Sequence, residues 1–132
     1  MRLGLISAML IAGGLSIIGG CDDSPKEIFV DGSTVLFFDG LYGDVTMLRQ
    51  VADRLPGDIT RIRTQFKNRE DKSIWIDIQV VWKDKDDMEL YKTSWQSFHL
   101  PAQTVEQYEI ASLRPVDHYE FRIRKPDKKG KK

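Results

Sequence analysis

The chain has 132 residues, a formal net charge of zero and a single cysteine. The charged part of it fits one small domain. One thiol excludes an internal disulfide and a cysteine zinc site, and no basic face with base-stacking or groove-reading elements is present for nucleic acid.

In chain order, Arg2 supplies a positive start, and "GLISAMLIAGGLSIIGG" then runs without a charge up to Cys21. The run is short for a spanning helix, which needs about 20 apolar residues, and Gly13, Gly14, Gly19 and Gly20 would weaken such a helix. A charged start, an apolar middle and small residues at the end predict a secretory signal peptide over residues 1–20; the alternative is an uncleaved hydrophobic anchor. The "IGGC" at residues 18–21 resembles a bacterial lipobox. That resemblance implies a diacylglyceryl group on the Cys21 thiol, cleavage before Cys21 and acylation of the new amino group. Gly19 and Gly20 leave thiol and scissile bond open, having no side chains. Each buried CH₂ of an acyl chain contributes about 0.8 kcal/mol to anchoring. Asp22 and Asp23 resemble the signal that keeps enteric-type lipoproteins in the inner membrane, and residues 21–27 also read as a lipidated polar tether.

The domain is expected over residues 28–124. "EIFVDGSTVLFFDG" reads as two short strands around Asp31-Gly32, a favoured hairpin dipeptide. "DVTMLRQVADRL" is ambiguous: Val45, Leu48, Val51, Ala52 and Leu55 suit a helix, but its neighbours are strands, so residues 44–56 are read as extended. "ITRIRTQFKN" alternates, and "SIWIDIQVVWKD" places Ile74, Ile76, Ile78, Val80 and Trp82 on every second position, the mark of a strand with one face on a core. The link "NRED" is rich in turn formers, so the two segments are expected to form a hairpin. "KDKDDME" reads as a charged loop. Pro101 separates "WQSFHL" from "TVEQYEI", and residues 114–117 join that strand to "HYEFRIRK", where Tyr119, Phe121 and Ile123 alternate with Glu120, Arg122 and Arg124. About seven short strands with frequent turns predict an all-β fold, a small antiparallel sandwich of immunoglobulin type.

Residues 21–121 carry 12 basic and 19 acidic residues, whereas "RIRKPDKKGKK" from Arg122 carries seven basic and one acidic. Residues 125–132 thus form a basic tail on an acidic domain. Lysines near a membrane surface attract anionic headgroups, about 1 kcal/mol each; a solvated terminus is the other reading.

From Asp58 to Arg124 the pattern resembles the YcfL-type periplasmic lipoproteins, a family of largely uncharacterised function. The resemblance rests on a strand ending at Asn68, the turn "REDK", an alternating strand ending in Trp82-Lys83-Asp84, the pair Glu89-Leu90, Trp95, the step Leu100-Pro101-Ala102, and the last strand "YEFRIRK". Asp86 or Asp87 stands where the family has a glycine after Trp-x-Asp.

No spacing matches a nucleophile or metal motif. His99 and His118 lie on different segments. The run Asp84, Asp86, Asp87, Glu89 lacks the glycine and ligand spacing of a calcium loop and reads as a solvated hairpin tip. No enzyme activity, cofactor or metal is therefore expected. Trp82 belongs to the core face, while Trp75 on the opposite face and Trp95 near a loop form a candidate binding surface. Together these readings predict a lipoprotein of the bacterial cell envelope, facing the periplasm and favouring the inner membrane. It would be held by lipid on Cys21 and bind an envelope protein or cell-wall component. The alternative is a structural subunit of a secretion or transport assembly.

Overall fold

The computed structural model describes residues 24–126. The expected signal peptide, Cys21, Asp22, Asp23 and most of the basic tail lie outside the described residues. Strand β1 (Lys26–Val30) turns into β2 (Ser33–Phe37) through Asp31 and Gly32, with φ of 48° and 82°. Positive φ at both central residues is what a two-residue turn of the right twist requires, and Asp-Gly supplies it. A 3₁₀ turn, Leu41–Gly43, leads into β3 (Val45–Leu55), which is followed by β4 (Ile59–Asn68), β5 (Ile74–Lys83), β6 (Glu89–Lys92), β7 (Gln96–Leu100), β8 (Val105–Ala111) and β9 (His118–Arg124).

These strands form two sheets. The larger runs β1-β2-β9-β5, with β6 and β7 beside successive parts of β5; the smaller runs β3-β4-β8. Every pair is antiparallel except β2 with β9, which aligns Val35 with Phe121 and Phe37 with Ile123. The fold is the expected all-β sandwich. Its core lies between the sheets. Val35, Phe37, Ile76, Ile78, Val80, Trp82, Phe121 and Ile123 face Val45, Ile62, Phe66 and Tyr108. Aromatic rings cross the gap, Phe66 to Phe121 at 6.3 Å and Tyr108 to Phe121 at 5.9 Å. A polar link crosses it too: Tyr119 Oη donates to Gln50 Oε1 at 2.6 Å, and Gln50 Nε2 donates to the buried Thr64 Oγ1 at 2.9 Å. Burial of the rings pushes the Tyr108 hydroxyl up to about 12, and burial with the Asp31 charge pushes that of Tyr119 well above the phenol range, so both stay protonated donors at neutral pH.

The ambiguous segment is the strand β3. Its helical spacing is broken by a bulge between Met47 and Arg49, which leaves Leu48 exposed. The expected hairpin of β4 with β5 is not formed. β4 pairs with β3 and β8, while β5 pairs with β9, β6 and β7. Residues 69–73 carry the chain from one sheet to the other, because the alternation of both segments specifies an inward face but not a neighbour. At that crossing Asn68 is fully buried. Its Nδ2 donates to the carbonyls of Lys72, Leu100 and Pro101, and its Oδ1 accepts from the Glu70 N–H. Residues 89–100 add two short strands, so the described residues contain nine where about seven were expected. β1 begins at Lys26, within the stretch read as tether.

Candidate functional site

The outer face of the larger sheet carries the side chains that the core does not use. Trp75, 46% exposed, lies across from His99 in the β5–β7 register, and the rings stack at 4.7 Å. Trp95, just before β7, lies under the Arg124 guanidinium, 3.8 Å from its ring centroid. That contact is of cation–π type. Arg124 Nε also approaches Asp77 Oδ2 at 3.6 Å, and Ser97 Oγ donates to Asp77 Oδ1 at 3.2 Å.

One step along the face, Arg122 donates to Glu120 Oε2 at 2.5 Å and to Gln79 Oε1 at 2.9 Å, while Lys83 Nζ reaches Glu120 Oε1 at 3.4 Å. Gln79 Nε2 in turn donates to the Thr93 carbonyl. Asp77 and Gln79 are thereby only 7% and 6% exposed although they point away from the core. An open groove of about 830 Å³ runs beside this ladder, lined by Phe38, Asp39, Trp95, Arg122, Arg124 and Lys125. Such a groove offers an aromatic platform and guanidinium donors to an anionic or planar group.

The two tryptophans chosen from the sequence therefore share a face, and Trp82 is fully buried as expected. Their partners His99 and Arg124 had no signal of their own. Arg124 meets Trp95 and Asp77 only through the β5–β9 register, which a single sequence does not display. The two histidines do not meet: His99 pairs with Trp75 and His118 with Lys83, positions eight residues apart on β5, roughly 27 Å along a strand. The acidic run is a hairpin tip, in which Asp84 Oδ1 accepts from the N–H groups of Asp86 and Met88. Asp87, in the stretch where the resembled family has glycine, adopts φ 65°, a conformation that glycine takes without cost. Among the described residues, no three His, Cys, Asp or Glu side chains gather so as to hold a metal, and no helix is long and apolar enough to cross a membrane.

Two ion-paired carboxylates are expected to make the domain sensitive to acid. Asp53 Oδ2 accepts from Arg61 at 2.9 Å and from Arg63 at 2.7 Å. The Arg61 hydrogen bond, with both arginine charges, holds the Asp53 carboxyl below its ordinary value. Burial pushes Glu120 up, but the Arg122 hydrogen bond and the charges of Arg122 and Lys83 outweigh it, leaving it lowered as well. A carboxyl that is more acidic folded than unfolded stabilises the fold fully above its unfolded pKa, about 3.9 for Asp and 4.3 for Glu. That stabilisation is lost as pH falls through the lowered folded value. Urea midpoints measured against pH are expected to drop below about pH 5, and Asp53→Asn with Glu120→Gln should flatten the drop. An equally steep acid limb in the double variant would refute this assignment.

Fold and face together describe a small β-sandwich with one decorated sheet surface. No family model and no curated protein sequence matches the chain. Among solved structures, the fold is similar to that of Campylobacter jejuni cj0090, with a TM-score of 0.60 and 14% identity over 70% of this chain and 97% of that one. It is also similar to a DUF1425 family member from Shewanella sp. pv-4, with a TM-score of 0.56 and 14% identity over 80% of this chain and 92% of that one. At this identity the likeness is one of fold.

Proposed function

We propose that the chain is a lipid-anchored lipoprotein of the bacterial cell envelope whose sandwich domain is a non-enzymatic binding module for another envelope component. The observation that carries the reading is the pair of aromatic stacks on one sheet face, Trp75 on His99 and Trp95 under Arg124, beside an open groove. A half-exposed tryptophan does nothing for the core, and aromatic and arginine side chains dominate binding hot spots. The lipobox-like "IGGC", the YcfL-type pattern and the similarity of fold to a DUF1425 member support the same reading. Asp22 and Asp23 favour the inner membrane, with the domain on the periplasmic side.

Cys21→Ser is expected to abolish incorporation of a fatty-acid analogue and leave an unprocessed precursor; equal labelling of the serine variant would sink the anchor. In membranes crosslinked before extraction, the wild-type chain is expected to bring down an envelope component. Trp75→Ala combined with Trp95→Ala, still folded, should lose it. Unchanged recovery removes the face from the proposal, and one stable stoichiometric complex favours the structural-subunit alternative.

A further inference from the structure

The outer face of the smaller sheet, on the opposite side of the sandwich from Trp75 and Trp95, carries a pocket of its own. Its placement follows from the bulge in β3. Val45 and Met47 turn toward the core, and strict alternation would carry Arg49 inward behind them. Leu48 is the extra residue, so that Met47 pairs with Phe66 and Arg49 with Gln65. From there Gln50 and Ala52 take the inward places, Gln50 on Thr64 and Tyr119, and Arg49, Val51 and Asp53 face outward. A bulge re-aims side chains in this way, and bulges are over-represented beside functional sites.

Arg49, Gln65 and Gln107 lie side by side across the three strands, and Val51, Arg63 and Glu109 form the next row. Arg49, Val51, Arg63, Gln65 and Gln107 line a pocket of about 60 Å³. Arg49 and Arg63 are diagonal neighbours on adjacent strands, about 7–8 Å apart, so both guanidinium groups can reach one ligand. The outward rows carry four cations, Arg49, Arg61, Arg63 and Lys67, against the carboxylates of Asp53 and Glu109. Both carboxylates are engaged outside the pocket: Asp53 Oδ2 accepts from Arg61 and Arg63, and Glu109 Oε2 lies 3.8 Å from Arg61. Lys67 Nζ donates to the Gln103 carbonyl. Among the described residues, no carboxylate lines the pocket, and the Arg49, Gln65 and Gln107 side chains make no hydrogen bond or ion pair. Arg63 Nε is buried and has no hydrogen-bond partner among them. Two guanidinium groups thus border one small space with donors unused and no counter-charge on its wall. An anion between them would replace repulsion with two attractions.

We propose that this pocket is a phosphate site, taking either the free ion or a phosphate monoester between the forks of Arg49 and Arg63, with the Gln65 and Gln107 amides donating to the remaining oxygens. The space admits one oxyanion group, and the two cations on its wall match a group of double charge. A phosphate carries about −1.5 to −2 at neutral pH, whereas a carboxylate carries a single charge. Arginine forks suit both shapes, so charge decides between them. The site depends neither on the lipid anchor nor on the Trp75–Trp95 surface.

The test is a nuclear magnetic resonance titration of the full chain in neutral detergent at about pH 7.5, where phosphate is mostly the dianion, with chloride holding the ionic strength constant. The probes are inorganic phosphate, glucose 6-phosphate and acetate. Both phosphates are expected to give saturable shifts of the Arg49 and Arg63 Nε–H signals and of the Gln65 and Gln107 side-chain amides. Acetate, with half the charge, should bind at least about tenfold more weakly. Tighter binding of glucose 6-phosphate assigns an ester-borne group; equal or tighter binding of inorganic phosphate assigns the free ion. Arg49 has no polar partner to lose, so Arg49→Gln should keep the wild-type melting midpoint. It should weaken phosphate binding about tenfold or more, as the loss of hydrogen bonds to a charged group does. Arg49→Lys, which keeps the charge without the fork, should recover part of the loss. Lys67→Gln, on the same face outside the pocket, should change the affinity less than about twofold at physiological ionic strength. Shifts that do not saturate, an equal response to acetate, or equal losses in Arg49→Gln and Lys67→Gln would mean diffuse counterion attraction and overturn the site. Trp75→Ala with Trp95→Ala should leave the phosphate titration unchanged, so this site and the tryptophan surface fail separately.

Discussion

Trp82→Ala is expected to cost about 3–5 kcal/mol of stability, the range for truncating a buried aromatic side chain. Trp82 is fully buried at the end of the inward row Ile76-Ile78-Val80, against Tyr91 at 6.4 Å and Tyr119 at 6.2 Å. No disulfide can offset such a loss, which is a large part of the ~5–15 kcal/mol that keeps a small domain folded. The site has a second feature. Trp82 Nε1 is buried and has no hydrogen-bond partner among the described residues, so the ring contributes to the core through its volume and not through its N–H. Trp82→Phe, which keeps an aromatic ring and removes the unpaired donor, should therefore cost clearly less than Trp82→Ala. Trp75→Ala removes one stack on His99 from a half-exposed position, an interaction of about 0.5–1.5 kcal/mol. Denaturant midpoints for the three variants give the ranking. Equal losses at positions 75 and 82 would mean that Trp75, at the exposed start of β5, carries as much of the core as Trp82, although the outward face beyond it is covered at Asp77, Gln79 and Val81.

That ranking marks what the sequence could express about the fold. The period-two rows of β5 and β9, the Asp31-Gly32 turn and the extended character of β3 are local properties, and each appears where its residues placed it. Neighbour relations are not local. β4 and β5 both present alternating faces across a polar link, and that description fits a hairpin and a crossing between sheets equally well. The parallel contact of β2 with β9 joins segments more than 80 residues apart and leaves no trace in either. The same limit applies to the site. Trp75 and Trp95 could be singled out as tryptophans off the core row, but Asp77 and Gln79 look like ordinary solvent-facing positions. They become buried only because β9 brings Arg122 and Arg124 beside them, and because the Thr93 carbonyl and Ser97 hydroxyl cover what remains. Cys21, Asp22 and Asp23 lie outside the described residues, and the roles proposed for them rest on the sequence pattern.

The crossing that the alternation concealed should be the other point of high sensitivity. Asn68→Ala is expected to cost at least about 3 kcal/mol, since each buried group left without its partner costs about 1–3 kcal/mol. Its amide nitrogen serves the carbonyls of Lys72 and Leu100, each at 2.9 Å, and of Pro101 at 3.2 Å; its oxygen serves the Glu70 N–H at 2.8 Å. One side chain thereby fixes both the crossing at residues 69–73 and the bend at residues 101–104, and the Asn68 N–H bond to the Thr104 carbonyl closes the arrangement. Asn68→Asp keeps the volume and the acceptor but points a second oxygen at carbonyl oxygens. It should cost as much as alanine or more, which a purely steric role would not produce. Hydrogen exchange supplies the local readout: amides of residues 69–73 and 101–104 should lose protection ahead of β5 and β9. A variant that exchanged uniformly faster would point to general loosening of the core. One that lost less than about 1 kcal/mol, the net worth of a single ordinary hydrogen bond, would mean that the loops hold the crossing without Asn68.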